Sequence, residues 1–334
     1  MKLHEVIVLI NGRENLLRIF RREKHERFPR NDDTYFMMFP GEWGGPWGKG
    51  DDKQTDWFGI HWTAVPNQGQ MVTETGEYLV SDLESWKQAV QIPFDELESY
   101  DWIADAARQT ENWDRGRQMG AMILLGGHFE RLHSLTGFED ALMSFYLAPD
   151  AMCEFFEELT KYKIRSLQKI KEFYNPDVVI YHDDWGNQKN MFFDPKQWRQ
   201  YLKPYVKAVI DECHRLGMYF EMHCCGHFMP IMDDLVNLGI DSTQTLQYPQ
   251  NDIETVKKLY GDRLVTRGGY DGQKILAPGT SDDEIRQTVR YSLETLAPNA
   301  FHIPYVYVIG TGFEHAMSVV EDEVTRYEKE LFGL

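Results

Sequence analysis

Cysteine is scarce in this 334-residue chain, which carries only Cys153, Cys213, Cys224 and Cys225. Their uneven spacing builds no disulfide framework, and an adjacent pair rarely closes an unstrained disulfide with itself, so reduced thiols are expected. Basic charge is also short. Lys and Arg number 35 against 53 Asp and Glu, a formal net charge of −18, and general phosphate-backbone binding needs the opposite, clustered cations that displace counterions. Nucleic acid is therefore not an expected partner, while an acidic surface leaves room for docking to a protein with a basic patch. No apolar run approaches the roughly 20 residues of a membrane span. The opening Met1-Lys2-Leu3-His4-Glu5 leads into charged residues rather than the apolar core of a signal peptide. A cytoplasmic protein without membrane attachment is the expectation. A low-complexity linker, a short internal repeat, a complete G-x-G-x-x-G fingerprint, a P-loop and a Ser nucleophile elbow are missing as well.

The composition, 42% hydrophobic and 26% charged, is that of a globular protein. Length permits one or two domains, but nothing marks a boundary except texture. The first hundred residues or so are loop-rich, with Pro40-Gly41-Glu42-Trp43-Gly44-Gly45-Pro46-Trp47-Gly48 and then Asp56-Trp57-Phe58-Gly59-Ile60-His61-Trp62. The reading is a single domain over 1–334 in which about 1–110 form an extension covering one end. From about residue 120, short apolar runs alternate with longer amphipathic ones, the pattern of βα units around a parallel sheet. Candidate strands are Tyr35–Phe39, Ala121–Leu125, Val178–His182, Tyr219–His223, Ile240–Thr245, Leu264–Gly268 and Phe301–Tyr307. Asp194 with Pro195 starts a helix that stops at Gly217, Ser281 with Glu284 forms a capping box, and Gly239 and Gly261 stand where helices should end. A barrel and a doubly wound sheet share this alternation. In both, function gathers at strand ends.

His223 and Cys225 lie two apart at the end of a candidate strand and so project to one side, with Cys224 on the other. Imidazole and thiolate suit zinc, and two or three protein ligands with an open position describe a catalytic site. The alternative is a hydrogen-bonded core histidine beside cysteines packed as small apolar groups. The second constellation is Tyr181-His182-Asp183-Asp184-Trp185-Gly186-Asn187-Gln188. Two carboxylates at a strand end can act as acid and base or hold a polar substrate. Asp183 is the better candidate for the pocket, since Asp184 could as well be a solvated turn residue. Other strand ends bring Gln244 and Gln247, then Gly268-Gly269-Tyr270-Asp271, then His302 and Tyr307. Glu130-Arg131 reads as a buried ion pair of structural kind.

Together Phe129-Glu130-Arg131, His182-Asp183-Asp184-Trp185-Gly186, Lys203-Pro204-Tyr205, His223-Cys224-Cys225-Gly226, Gly239-Ile240-Asp241, Gly268-Gly269-Tyr270-Asp271 and Leu296-Ala297-Pro298 resemble the uroporphyrinogen decarboxylase superfamily, which includes zinc-dependent methyltransferases acting with corrinoid proteins. The resemblance runs from about Phe129 to the carboxyl terminus and implies a (β/α)₈ TIM barrel, here with a loop-rich N-terminal extension. The Arg-rich amino-terminal segment of the decarboxylases is absent, and Met37-Met38-Phe39-Pro40-Gly41-Glu42-Trp43 stands in its place. A polycarboxylate therefore has no obvious clamp. In the methyltransferases His and Cys bind zinc with a distant third Cys, yet no cysteine follows Cys225. By alignment either His302 or Tyr307 falls at that position. His302 is the better ligand chemically, with Asp183 or Gln247 in reserve.

The resemblance thus implies zinc on His223, Cys225 and His302; Asp183, Tyr270 and Asp271 in catalysis; and Asp184, Trp185, Gln188, Gln247 and Tyr307 against substrate. The implied reaction moves a methyl group from a small-molecule donor, such as a methoxylated aromatic, to a corrinoid on a partner protein. A homodimer is open to the chain. The rivals are a metal-free decarboxylase and a non-catalytic binding protein of the same fold.

Overall fold

A computed structural model of the chain describes residues 10–30, 35–39, 41, 53–65, 70–74, 76, 78–308 and 310–334. The amino-terminal residues 1–5 and most of the Pro40–Gly48 run lie outside the described residues. The strands are β1 (Tyr35–Met38), β2 (Lys53–Thr55), β3 (His61–Val65), β4 (Gln70–Thr73), β5 (Met119–Leu124), β6 (Val178–His182), β7 (Tyr219–His223), β8 (Ser242–Gln244), β9 (Val265–Arg267) and β10 (His302–Ile303). Seven of them form one parallel sheet in the order β1-β5-β6-β7-β8-β9-β10, while β2, β3 and β4 make a small antiparallel sheet. The large sheet curls into a TIM-type barrel. Its two ends meet across the interior, where the Arg267 guanidinium lies 4.4 Å from the Tyr35 ring and 4.3 Å from that of Tyr305.

Every one of the seven expected strands is present. The last is the shortest: only His302 and Ile303 of the Phe301–Tyr307 run pair with β9. The helix expected from Asp194 to Gly217 begins on the Asp194 cap, passes through a widened turn at Trp198–Leu202 and runs on as Lys203–Arg215. The Ser281–Glu284 capping box forms. Gly239 ends its helix at φ +96°, a conformation that glycine alone adopts at no steric cost.

The pleat sorts side chains between the two faces of the barrel wall. Ala121, Ile123, Val178, Ile180, Val265 and Ile303 face inward and pack against Leu16, Leu17, Ile19 and Phe20 of helix α1 (Gly12–Phe20). Helix α1 therefore plugs the amino-terminal end of the barrel, and α1 and β1 both belong to the barrel itself. The alternate residues Met122, Leu124, Val179, Tyr181, Phe220 and Met222 face outward into the helical layer. Above the plug the interior turns polar. Glu221 is fully buried and accepts from Arg267 at 2.6 Å and from Ser242 at 2.9 Å.

The small sheet is fastened to the barrel by Asp56. Its carboxylate accepts from the backbone of Phe58 and Ile60, from Trp62 Nε1, and from Arg131 at 2.6 Å on helix α2 (His128–Thr136). Arg131 thus turns away from Glu130 and toward the sheet. The expected Glu130–Arg131 pair is replaced by two separate pairs.

Candidate metal and active site

In register, His182, His223, Gln244 and Arg267 stand side by side on β6, β7, β8 and β9. Their inward parity places four polar side chains on one rung at the carboxyl end of the barrel. The rings of His182 and His223 stack at 3.9 Å and 15°. His223 Nδ1 is 2.9 Å from Gln244 Oε1. An amide oxygen can only accept, so Nδ1 carries the proton and Nε2 presents its lone pair. Toward that lone pair come Cys225 Sγ at 3.5 Å and Asp184 Oδ1 at 3.9 Å. His182, Asp184 and His223 offer donor atoms that all lie within 4.8 Å of one another.

The turn carrying Cys225 is fixed by its backbone. Cys225 N donates to Asp184 Oδ1 at 2.6 Å, Gly226 N to Gln247 Oε1 at 2.7 Å, and Asn251 Nδ2 to Gly226 O at 2.9 Å. Gly226 has φ +77°, and a Cβ there would meet Gly186 O at 2.5 Å. A side chain at 226 would therefore pry the β6 and β7 ends apart. Cys224 points the other way, buried, its sulfur accepting from Trp185 N.

The electrostatics divide the rung into a neutral and a charged imidazole. Burial, and then the neighbouring His182, push His223 down to about 3. Burial works against a charge on His182 too, but Glu130, 2.8 Å from Nδ1, outweighs it and raises His182 to about 9. Burial would lift Glu130, yet His182 first and then His133 and His223 hold it at about 2. Asp184 is raised to about 6, by burial that His182 only partly offsets. Burial and then Asp184 push the Cys225 thiol above its ordinary range, so it keeps its proton until a cation arrives beside it.

Zinc bonds of about 2.0–2.3 Å set tetrahedral ligand atoms roughly 3.3–3.8 Å apart. The His223–Cys225 separation meets this spacing, and Asp184 Oδ1, 3.9 Å from His223 Nε2, lies just outside it. Gln244 supplies the outer hydrogen bond that orients a ligating imidazole. The donor set suits a zinc ion with an open position.

The other expected site residues fall elsewhere. His302 lies on the outward face of β10, its Nδ1 3.0 Å from Thr266 Oγ1 and its ring edge-on to Phe28. The alternate parity brings Tyr307 to the site instead, with its ring 5.3 Å from His223. Tyr270 is buried in the helical layer with Phe28 and Val320, away from the rung. Asp271 caps the short helix Gly272–Leu276 through Lys274 N. Trp185 is fully buried and packs edge-on against Trp198, so it serves the core. Gln247 holds the Gly226 backbone, and Gln188 is exposed in the loop after β6. Asp183 has no solvent exposure, and it accepts from Phe129 N and Glu130 N. Burial and then Glu130 raise it to about 7.

With this geometry in place, comparison with known proteins decides the family: the Uroporphyrinogen decarboxylase (URO-D) model matches residues 58–326. The chain belongs to that family. No curated protein matches this URO-D chain. Among solved structures it is similar to a methyltransferase from Methanosarcina mazei, with a TM-score of 0.70, 16% identity and coverage of 95% of this chain and 99% of that one. At such identity the likeness establishes the fold. A D-psicose 3-epimerase with D-fructose is similar at a TM-score of 0.42 and 9% identity, covering 72% of this chain and 87% of the other.

Two members of the site escape a reading of motif and spacing alone. His182 sits in the quoted strand-end motif, but its neighbours Asp183 and Asp184 draw attention first. Glu130 comes from a helix far away in sequence. Its one signal is the pairing of an acidic residue with the first turn after β5.

Proposed function

We propose that this URO-D family protein is a methyltransferase that takes a methyl group from a small donor and delivers it to the reduced cobalt of a corrinoid carried by a separate protein. A methoxylated aromatic compound is the candidate donor. The observation that carries the reading is the convergence of His223 Nε2, Cys225 Sγ and Asp184 Oδ1 at 3.5 and 3.9 Å, with Gln244 fixing the tautomer of His223. Zinc held by these three residues supplies Lewis acidity toward the donor oxygen.

The chain's own groups do the rest. His182, kept protonated by Glu130, holds a proton beside the oxygen that leaves when the carbon–oxygen bond breaks. As the carbon–oxygen bond breaks with its pair left on oxygen, His182 would return that oxygen to neutrality, while the reduced cobalt of the partner would supply the electron pair that takes up the methyl group. Tyr307 forms a wall opposite His223, and its phenol stays protonated because burial, then Cys225, raise it. The corrinoid arrives on its partner at the barrel mouth. Tyr270, Asp271 and His302 take no part in this reaction.

A metal-free decarboxylation is favoured by one observation, the gathering of His182 and Asp184 donor atoms within 4.8 Å of one another, where Glu130 raises His182 to about 9 against burial and burial raises Asp184 to about 6. Such a site moves protons without a metal. Elemental analysis separates the two. The methyltransferase reading expects roughly one zinc per chain, lost in a His223→Ala, Cys225→Ala double variant; folded protein that takes up no zinc when it is offered sinks it.

A further inference from the structure

Asp183 is buried directly behind the site and, unlike its two neighbours in sequence, does not face into it. His182 and Asp184 point into the barrel, while Asp183 points out, where its carboxylate receives Glu130 N at 2.9 Å and Phe129 N at 3.2 Å. These are free N–H groups in the first turn of α2, and a carboxylate there is favoured by both hydrogen bonding and the helix dipole. The fit is close. A Cβ on Gly127 would lie 2.2 Å from Asp183 Cβ and Cγ, and Gly127 N itself donates to His182 O at 2.8 Å. The residue whose backbone Asp183 grips is the one whose side chain reaches around to His182, with Glu130 Oε1 2.8 Å from Nδ1.

We propose that Asp183 is a positioning residue: by clamping the first turn of α2 to the end of β6, it sets the Glu130 carboxylate against His182 Nδ1, and it acts on the site only through that contact. One strand end thus holds the histidine and, one residue later, the group that aims the histidine's partner. The Asp183–α2–Glu130 contact is independent of methyl transfer and would exist in a decarboxylase or a binding protein alike.

The test is a spectroscopic one on the intact protein labelled at histidine nitrogen. A ring N–H sheltered in a hydrogen bond to a carboxylate gives a low-field proton resonance, which vanishes when exchange with water becomes fast. The resonance of His182 Nδ1–H is expected in the unaltered protein and absent in Glu130→Ala. It is expected to vanish in Asp183→Ala, to survive with at least about tenfold faster exchange in Asp183→Asn, which keeps one acceptor oxygen, and to show no further change in Asp183→Ala combined with Glu130→Ala. Should Asp183→Ala fail to fold, Gly127→Ala displaces the same carboxylate from the other side without removing it, and the same loss is expected there. An unchanged His182 resonance in folded Asp183→Asn and Gly127→Ala would overturn the proposal, since a residue that merely stabilised α2 would leave that signal alone.

Discussion

Replacing Arg267 by Met should cost far more stability than replacing Arg267 and Glu221 together. The pair lies on the floor of the site at 2.6 Å, with side chains 3% and 0% exposed. Removing one partner leaves an uncompensated buried charge, a loss of about 3–5 kcal/mol, whereas replacing both by groups of similar volume is often close to neutral. Glu221→Gln alone should fall in the same range, because it strands the guanidinium between the rings of Tyr35 and Tyr305. For 334 residues, an unfolding entropy of about 2.1 cal/mol/K per residue converts that loss into a drop in Tm of about 4–7 °C. Urea unfolding of Arg267→Met, Glu221→Gln and Glu221→Gln with Arg267→Met closes a double-mutant cycle. A coupling of at least about 2 kcal/mol is expected. Single variants within about 1 kcal/mol of the unaltered protein, or a double variant as unstable as the sum of its parts, would refute the reasoning.

Three further outcomes follow from the site. Gly226→Ala puts a non-glycine residue at φ +77° and a methyl group 2.5 Å from Gly186 O, so a destabilisation of about 2 kcal/mol or more is expected with weakened zinc binding; unaltered melting would contradict it. Two histidines of the site contribute opposite limbs to the pH dependence of stability, beside Asp183 and Asp184, whose raised values favour the fold as pH falls. His223, pushed down to about 3, binds its proton only on unfolding, so its neutral burial loses stability as pH falls below 6.5 toward 3. His182, raised to about 9, contributes stability fully present below 6.5 and lost as pH rises through 9. Denaturation curves of His182→Gln should therefore decline less steeply between pH 6.5 and 9. Finally, Tyr307→Phe should leave zinc affinity within about threefold, because its ring packs against His223 and its hydroxyl is not among the proposed ligands, whereas Cys225→Ser should lower it by about tenfold or more; equilibrium competition with a chelator reads both.

The strands were legible because each is a short apolar run between polar helices, and burial in a parallel sheet needs just that. The rung was half legible. His223 and Cys225 follow from period-two alternation on one strand, and that rule also turns Cys224 away. The same rule applied to the last strand would choose Tyr307 over His302, since Ile303 packs inward, but the direction of a strand is invisible until one of its residues is seen against the plug. Asp183 and Asp184 are equally polar in sequence, and only the fold shows that one serves a helix terminus and the other the site. Tyr270 and Trp185 illustrate the opposite error. An aromatic residue with a polar tip at a strand end looks suited to a substrate, yet most of its surface is apolar, and the core claims it. Glu130 was out of reach because its partner, His182, is distant in sequence and brought near by the packing of α2 on β6.

Methyl transfer at the proposed His223–Cys225–Asp184 centre can be followed in the absorbance of cob(I)alamin. Zinc-loaded protein given reduced cobalamin and methoxylated aromatic compounds should convert the cob(I)alamin spectrum to that of methylcobalamin with at least one donor, and the His223→Ala, Cys225→Ala variant should not. Conversion by the variant at the unaltered rate would rule out this centre, and zinc-loaded, folded protein that leaves the spectrum unchanged across a panel of methoxylated donors would rule out the methyl transfer proposed.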